Sequence, residues 1–220
     1  EYAAIVRARN IQSETGAMLA ACFLLALSGH FGDLRLSALV LYGGALLVTT
    51  LHLATGKHSV EGLATSLFGV VYIGWFAAHM VLLRRIPDIG PGLVTIVVVG
   101  VSFTDGGAYI GGKLFGRHKM APRVSPGKTW EGAVSGLVMA MVSMILLYNI
   151  SHSVPALPGW GLAGYLATGL ALSVVAQIGD LSESMLKRSA GVKDSGFIVP
   201  GHGGVLDRCD SYLFATPALY

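Results

Sequence analysis

Acids, cations and hydroxyls gather in three segments of the 220-residue chain, all between Asp105 and Phe214. In the last segment, Pro200 to Phe214, Asp207 and Asp210 stand three residues apart and share a face if the stretch is helical. Ionised acids inside an apolar stretch need a compensating charge. A divalent cation is the natural candidate, because magnesium takes oxygen ligands, keeps several waters and is commonly held by one or two carboxylates together with substrate phosphates. Arg208 between them is the nearest internal counter-ion for an aspartate or a phosphate. The preceding Gly201-His202-Gly203-Gly204 offers unobstructed N–H groups at the start of that helix, which is an anion cradle. His202 reads equally well as a phosphate contact and as a structural histidine bonded to backbone.

The second segment is Gly179 to Gly196. On a helix, Asp180, Ser184, Lys187 and Arg188 follow one another at i, i+4, i+7 and i+8, so one face carries a carboxylate, a hydroxyl and two cations. Ion pairing within the helix, for example Glu183 with Lys187, and a membrane-surface helix are the plainer alternatives. The third segment is Phe103 to Gly132. Asp105 lies deep in an apolar run, where an ionisable group faces a polar cavity, an ion or a partner more often than lipid; hydrogen bonding to local backbone is its other reading. The cations from Lys113 to Lys128 could be a solvated face or an anchor on anionic lipid. Ser125, Lys128 and Thr129 at the start of the next helix, however, can hold a phosphate against its first N–H groups. Neither glycine-and-lysine run here is a nucleotide loop, since Leu114 takes the hydroxyl position of one and Pro122 the first-glycine position of the other.

The elements that must position these groups are membrane helices. The chain is 53% apolar and 12% charged, against about 25% charged for a soluble domain, which excludes a disordered segment and argues against a soluble enzyme. A span needs about 20 mainly apolar residues, and seven apolar stretches are legible: Gly16–Ser28, Leu36–Leu53, Val60–Leu83, Leu93–Ile110, Trp130–Ile150, Gly161–Ile178 and Val205–Tyr220. The expected fold is therefore all-α, a polytopic integral membrane bundle of about seven helices. Residues 1–100 would supply packing helices and a possible dimer surface, and residues 101–220 the catalytic helices and loops. His52 and His79 read as packing positions, and Cys22 and Cys209, both in apolar stretches, as packing residues rather than a disulfide. If the spans alternate across the bilayer, one side receives Arg7, Arg9, Lys57, Lys113, Arg117, Lys119, Arg123, Lys128, Lys187, Arg188 and Lys193, and the other only Arg35, Arg84 and Arg85. The positive-inside bias then turns the basic loops to the cytoplasm.

Ser184-Met185-Leu186-Lys187-Arg188, Lys193-Asp194 and His202-Gly203-Gly204 followed by Asp207-Arg208-Cys209-Asp210 together resemble the phosphatidate cytidylyltransferase family, also called CDP-diacylglycerol synthases. The stretch from Asp105 to Gly132 is similar to that family's other characteristic segment, with Gly127 standing where the family commonly has Lys. Cys209 replaces an aliphatic or Phe, and Val199 replaces Leu, Ile or Phe. The resemblance implies transfer of the cytidylyl group of CTP to phosphatidic acid, giving CDP-diacylglycerol and pyrophosphate. It implies Asp180, Asp207 and Asp210 at a Mg2+ site with room for a second cation, and Lys187, Arg188 and Lys193 on the CTP phosphates and the departing pyrophosphate. Ser125, Lys128 and Thr129 would hold the lipid headgroup or the nucleotide. It further implies a bacterial inner membrane protein with its site facing the cytoplasm, a homodimer, additional N-terminal spans and no nucleic acid partner. Two other classes fit the residues alone: a cation-coupled transporter of an anionic solute, and a non-catalytic scaffold for anionic lipid. Charges clustered in one half of the chain speak against the carrier, which should place its acids symmetrically near midplane.

Overall fold

The computed structural model describes residues 1–56, 59–196 and 203–220. Lys57 and His202 lie outside the described residues. Helices dominate: α1 Tyr2–Ala8, α2 Thr15–His30, α3 Leu34–Ala54, α4 Val60–Gly69, a π turn Val70–Trp75, α5 Phe76–Arg85, α6 Gly90–Phe115, α7 Trp130–Ser151, α8 Leu162–Ser189 and α9 Leu206–Leu219. Two short strands, β1 Lys119–Ala121 and β2 Ser125–Thr129, pair as an antiparallel hairpin between α6 and α7.

The starts and stops follow from residue chemistry. Asp33 and Ser59 cap α3 and α4 by accepting the Arg35 and Gly62 amides at 2.8 and 3.1 Å, which satisfies N–H groups that a helix cannot bond internally. Gly32 and Gly56 follow α2 and α3 at φ +69° and +67°, left-handed values at which a side chain is strained. In α9, Pro217 has no amide for the Leu213 carbonyl; the Thr216 hydroxyl donates to the Tyr212 carbonyl at 3.1 Å and lies 3.4 Å from that of Leu213.

Five segments are long and apolar enough to cross a membrane: Leu34–Ala54, Val60–Arg85, Gly90–Phe115, Trp130–Ser151 and Leu162–Ser189. The chain is an integral membrane protein with an all-helical core. The expected count of seven is not reached among the described residues. Thr15–His30 is apolar but short, and α9 has 14 residues, which at about 1.5 Å per residue covers only about 21 Å of a hydrocarbon core about 30 Å thick.

The chain divides into two compact units. The first comprises Glu1–Arg85 and Leu186–Arg208. There α2 packs on α3 and on the π turn with α5, around Leu25, Val48, Val70 and Leu82, all at most 1% exposed. His52 and His79 are buried and donate ring N–H groups to the Ser59 and Trp75 carbonyls, each at 2.8 Å. Cys22 is a free, half-buried thiol in α2.

The second unit comprises Ile86–Met185 and Cys209–Tyr220. Its spine is the crossing of α6 and α7, built on two small-residue pairs, Gly107 with Gly111 and Gly132 with Gly136. A methyl at Gly111 would meet the Ser135 Cβ, one at Gly132 the Ala108 carbonyl at 2.8 Å, and one at Gly136 the Thr104 carbonyl at 2.7 Å. Glycines four apart on facing helices let membrane backbones touch without a hydrophobic driving force. The glycines that imitate a nucleotide loop thus serve helix packing.

Candidate active site

In the second unit a cavity of about 450 Å³ opens between α6, the hairpin, α7 and α8. Asp105 and Lys113 face it from α6, Ser125, Lys128 and Thr129 from β2, and Asp180 from α8. Five residues singled out from sequence, Asp105, Ser125, Lys128, Thr129 and Asp180, therefore meet at one place although up to 75 positions separate them. Lys128 Nζ lies 2.7 Å from Asp180 Oδ2, with the two side chains 22% and 37% exposed.

The hairpin delivers Ser125 and Lys128 because Ala121-Pro122-Arg123-Val124 forms a tight turn, closed by the Val124 amide on the Ala121 carbonyl at 3.1 Å. Proline is favoured at the second position of such turns. Its base is clamped by Glu131, which accepts the Arg117 amide at 3.1 Å and the His118 amide and ring Nδ1 at 3.2 and 2.5 Å. Thr129 ends β2 and caps α7, its Oγ1 accepting the Gly132 amide at 3.2 Å. That hydroxyl keeps a proton to donate into the cavity. Thr129→Ala removes the cap and should lower the stability of the purified protein by about 1 kcal/mol, read as a fall in the thermal unfolding midpoint that Thr129→Ser does not show.

Two further polar lining residues, Tyr109 and Gln177, carry no sequence signal that separates them from their neighbours. Tyr109 is 70% exposed, with Lys113 Nζ 5.9 Å from its ring centre. Gln177 donates its amide to the Ala133 carbonyl at 3.3 Å and the Ser173 hydroxyl at 3.2 Å, which leaves its oxygen as a neutral acceptor. Only the i,i+4 step from Ser173 and the i−3 step to Asp180 could have marked Gln177 as sharing their helix face.

The first unit contains a second cluster. Asp207, in the first turn of α9, accepts Lys187 Nζ at 2.7 Å, the Ser195 amide at 3.0 Å and the Gly204 amide at 2.8 Å. Both side chains of the ion pair are largely buried, at 14% and 13% exposure. The Gly204 N–H, read from sequence as part of a cradle for a substrate anion, is thus donated to the chain's own carboxylate. Gly203 precedes it, and Arg188, Lys193 and Arg208 are solvent-exposed. In the second unit, apart from this cluster, Ser184 is half-buried on α8. Asp210 is 7% exposed, and its Oδ1 accepts the Ser211 amide at 2.6 Å.

Carboxylate oxygens are the donors that magnesium takes, and at Asp180 and Asp207 an ammonium nitrogen already stands 2.7 Å away where a cation would. The residues suit the ion in kind. Among the described residues, no three His, Cys, Asp or Glu side chains gather into a ready metal shell, so waters and substrate phosphates would complete the coordination.

Helices long and apolar enough to cross a membrane here carry a polar cavity lined by two lysines and two aspartates. The model of the cytidylyltransferase family matches residues 1–220. The chain is 37% identical over 194 residues to the phosphatidate cytidylyltransferase of Haemophilus influenzae, a match covering 86% of this chain and 67% of that protein. It is 43% identical over 152 residues to the Brucella suis protein of that name, covering 69% and 54% respectively, and 40% identical over 182 residues to the Bacillus subtilis one, covering 83% and 66%. The chain belongs to the cytidylyltransferase family. It spans about half to two thirds of the length of these relatives.

Proposed function

We propose that this chain carries the active site of a phosphatidate cytidylyltransferase, which joins CTP and phosphatidic acid into CDP-diacylglycerol. A phosphate oxygen of the lipid attacks the α-phosphorus of CTP, the bond to the bridging oxygen of the β-phosphate breaks, and pyrophosphate leaves with that electron pair. Both reactants are anions and charge spreads over non-bridging oxygens in the transition state, so catalysis is mainly positioning and electrostatic stabilisation. No protein nucleophile is needed. The observation that carries this reading is the cavity in which Lys113 and Asp180, on helices apolar enough to lie in lipid, converge with Ser125 and Lys128 of the hairpin, in a chain of this family.

In this reading Lys128 and Ser125 hold a phosphate in the cavity, and Lys187, Arg188 and Lys193 neutralise CTP phosphates and pyrophosphate. Asp180, Asp207 and Asp210 would hold Mg2+, an assignment resting on donor chemistry and on the i,i+3 spacing along α9. The ion, with a second cation where one binds, would supply positive charge to the phosphates. Asp105 lends the cavity a further acid, Ser184 adds a hydroxyl to the face of α8, and Arg208, His202 and the Gly203 backbone serve the anions. In this reading the chemistry lies at the cytoplasmic face of the inner membrane, where a lipid phosphate meets water while its acyl chains stay in hydrocarbon; the bias of basic residues toward one set of loops supports it. The early helices pair two copies of the chain. The transporter reading has no observation in its favour.

The test is incubation of the purified full-length protein with radiolabelled CTP, phosphatidic acid and magnesium, followed by lipid extraction. Label should enter a lipid product only when all three are present. Label confined to the aqueous phase would remove the enzymatic reading, and magnesium-independent phosphatidate binding without product would favour a scaffold.

A further inference from the structure

The first residue of the chain lies against its last helix. Glu1 Oε1 accepts the Val205 amide at 2.8 Å, Glu1 Oε2 accepts the Leu206 amide at 2.6 Å, and the Ser195 hydroxyl reaches Oε2 at 3.4 Å. All four residues belong to the first compact unit. Room for the carboxylate comes from two glycines. A methyl at Gly196 would meet Glu1 Cγ and Oε1 at 2.9 Å, and one at Gly204 would meet the Ser195 hydroxyl and Glu1 Oε2, the latter at 2.8 Å.

The geometry divides the amide groups leading into α9 between two acids. A helix start presents N–H groups with no internal partner and a partial positive charge. Glu1 takes those of Val205 and Leu206, while Asp207 takes that of Gly204 and turns its other oxygen to Lys187. Without Glu1, the Asp207 carboxylate, which already accepts the adjoining Gly204 amide, is drawn toward the vacated amides and off Lys187. We infer that Glu1 is a positioning residue for the transfer reaction: its carboxylate holds the entry to α9 so that Asp207 and Lys187 stay aligned for the nucleotide phosphates. The inference rests on the function proposed above and extends it to a residue about 200 positions away in sequence.

Two full-length variants test it. Glu1→Gln keeps the side chain's size but removes the charge and sets an amide N–H against a backbone N–H. Gly196→Ala leaves Glu1 intact and crowds its carboxylate out of place. In each, hydrogen–deuterium exchange at the Val205 and Leu206 amides should rise in protein without added metal. The CTP concentration for half-maximal rate should rise about tenfold, the worth of one charged hydrogen bond, while that for phosphatidate stays within twofold. Mere loss of folded protein would lower turnover and move neither half-saturation value. Unchanged exchange and CTP dependence in Gly196→Ala overturns the inference even if Glu1→Gln fails to fold. Faster exchange with unaltered CTP dependence also overturns it, by reducing Glu1 to a helix cap. Tighter CTP binding in Glu1→Gln overturns it in the opposite sense, by showing that the carboxylate occupies a phosphate's place. A wild-type protein that makes no lipid product defeats the functional reading instead.

Discussion

Asp180→Asn and Lys128→Met should each lower CDP-diacylglycerol formation by a factor of about 10² to 10³, and the double variant should not recover it. The ion pair between them, 2.7 Å long, admits two roles. As a strut tying β2 to α8 it would be replaceable, because neutralising both members of a buried pair is often harmless and removing one is not. As a pair of groups presented to substrate, each is needed for itself. Its position favours the second role: both residues line a cavity whose other polar walls are Ser125, Lys113 and Asp105, and 37% of Asp180 remains accessible there, although the Lys128 Nζ is itself covered. A cation that holds a phosphate and an acid that holds a metal would be separated by their ligands on binding, whereas a strut would not. The double variant decides the matter. Product formation restored to near the wild-type rate in Lys128→Met/Asp180→Asn would make the pair structural and empty the cavity of its proposed chemistry. Arg35→Ala is the control for overall charge: Arg35 is exposed in the first turn of α3 and should leave the rate unchanged.

How much of this arrangement the sequence disclosed depends on the range of the interactions involved. Helix α7 is expected from Trp130 and begins there, since Thr129 is a good cap and a long apolar run follows. Helix α8 is expected to end at Ile178 but runs to Ser189. The apolar run stops at the earlier point, yet Asp180, Ser184, Lys187 and Arg188 continue the helical spacing, and that periodicity is the better guide to the boundary. The hairpin was not legible: a three-residue strand leaves too few alternating positions for a pattern, and its turn is marked only by Pro122. Charge and motif singled out Asp105, Lys128 and Asp180, because acids and cations are rare in apolar sequence. Tyr109 and Gln177 stayed hidden, being ordinary residues for a membrane helix. Glu1 could not have been found at all, because no local pattern links it to Val205 and Leu206 across some 200 residues.

Asp210→Asn should reduce product formation by about a thousandfold, and it isolates the metal assignment better than Asp207→Asn does. At Asp207 the two carboxylate oxygens are committed to Lys187, the Ser195 amide and the Gly204 amide. An asparagine there must set its NH2 against one of those donors, so structure and chemistry fail together. Asp210 differs. Its Oδ1 accepts the Ser211 amide at 2.6 Å, a bond that an asparagine oxygen also makes, so that contact survives the loss of the charge. At 7% exposure on a helix of a membrane protein, an ionised carboxylate without a functional counter-charge would be costly, and the neutral amide would stabilise the protein. A magnesium ligand behaves otherwise. Calorimetric titration of the metal-free protein with Mg2+ should show weakened binding in Asp210→Asn and Asp180→Asn, while Lys187→Ala retains it and loses at least tenfold in turnover through the CTP phosphates. Turnover within threefold of wild type in Asp210→Asn, together with unaltered Mg2+ binding, would take this residue out of the metal site and leave Asp207 and Asp180 to be explained as partners of Lys187 and Lys128 alone.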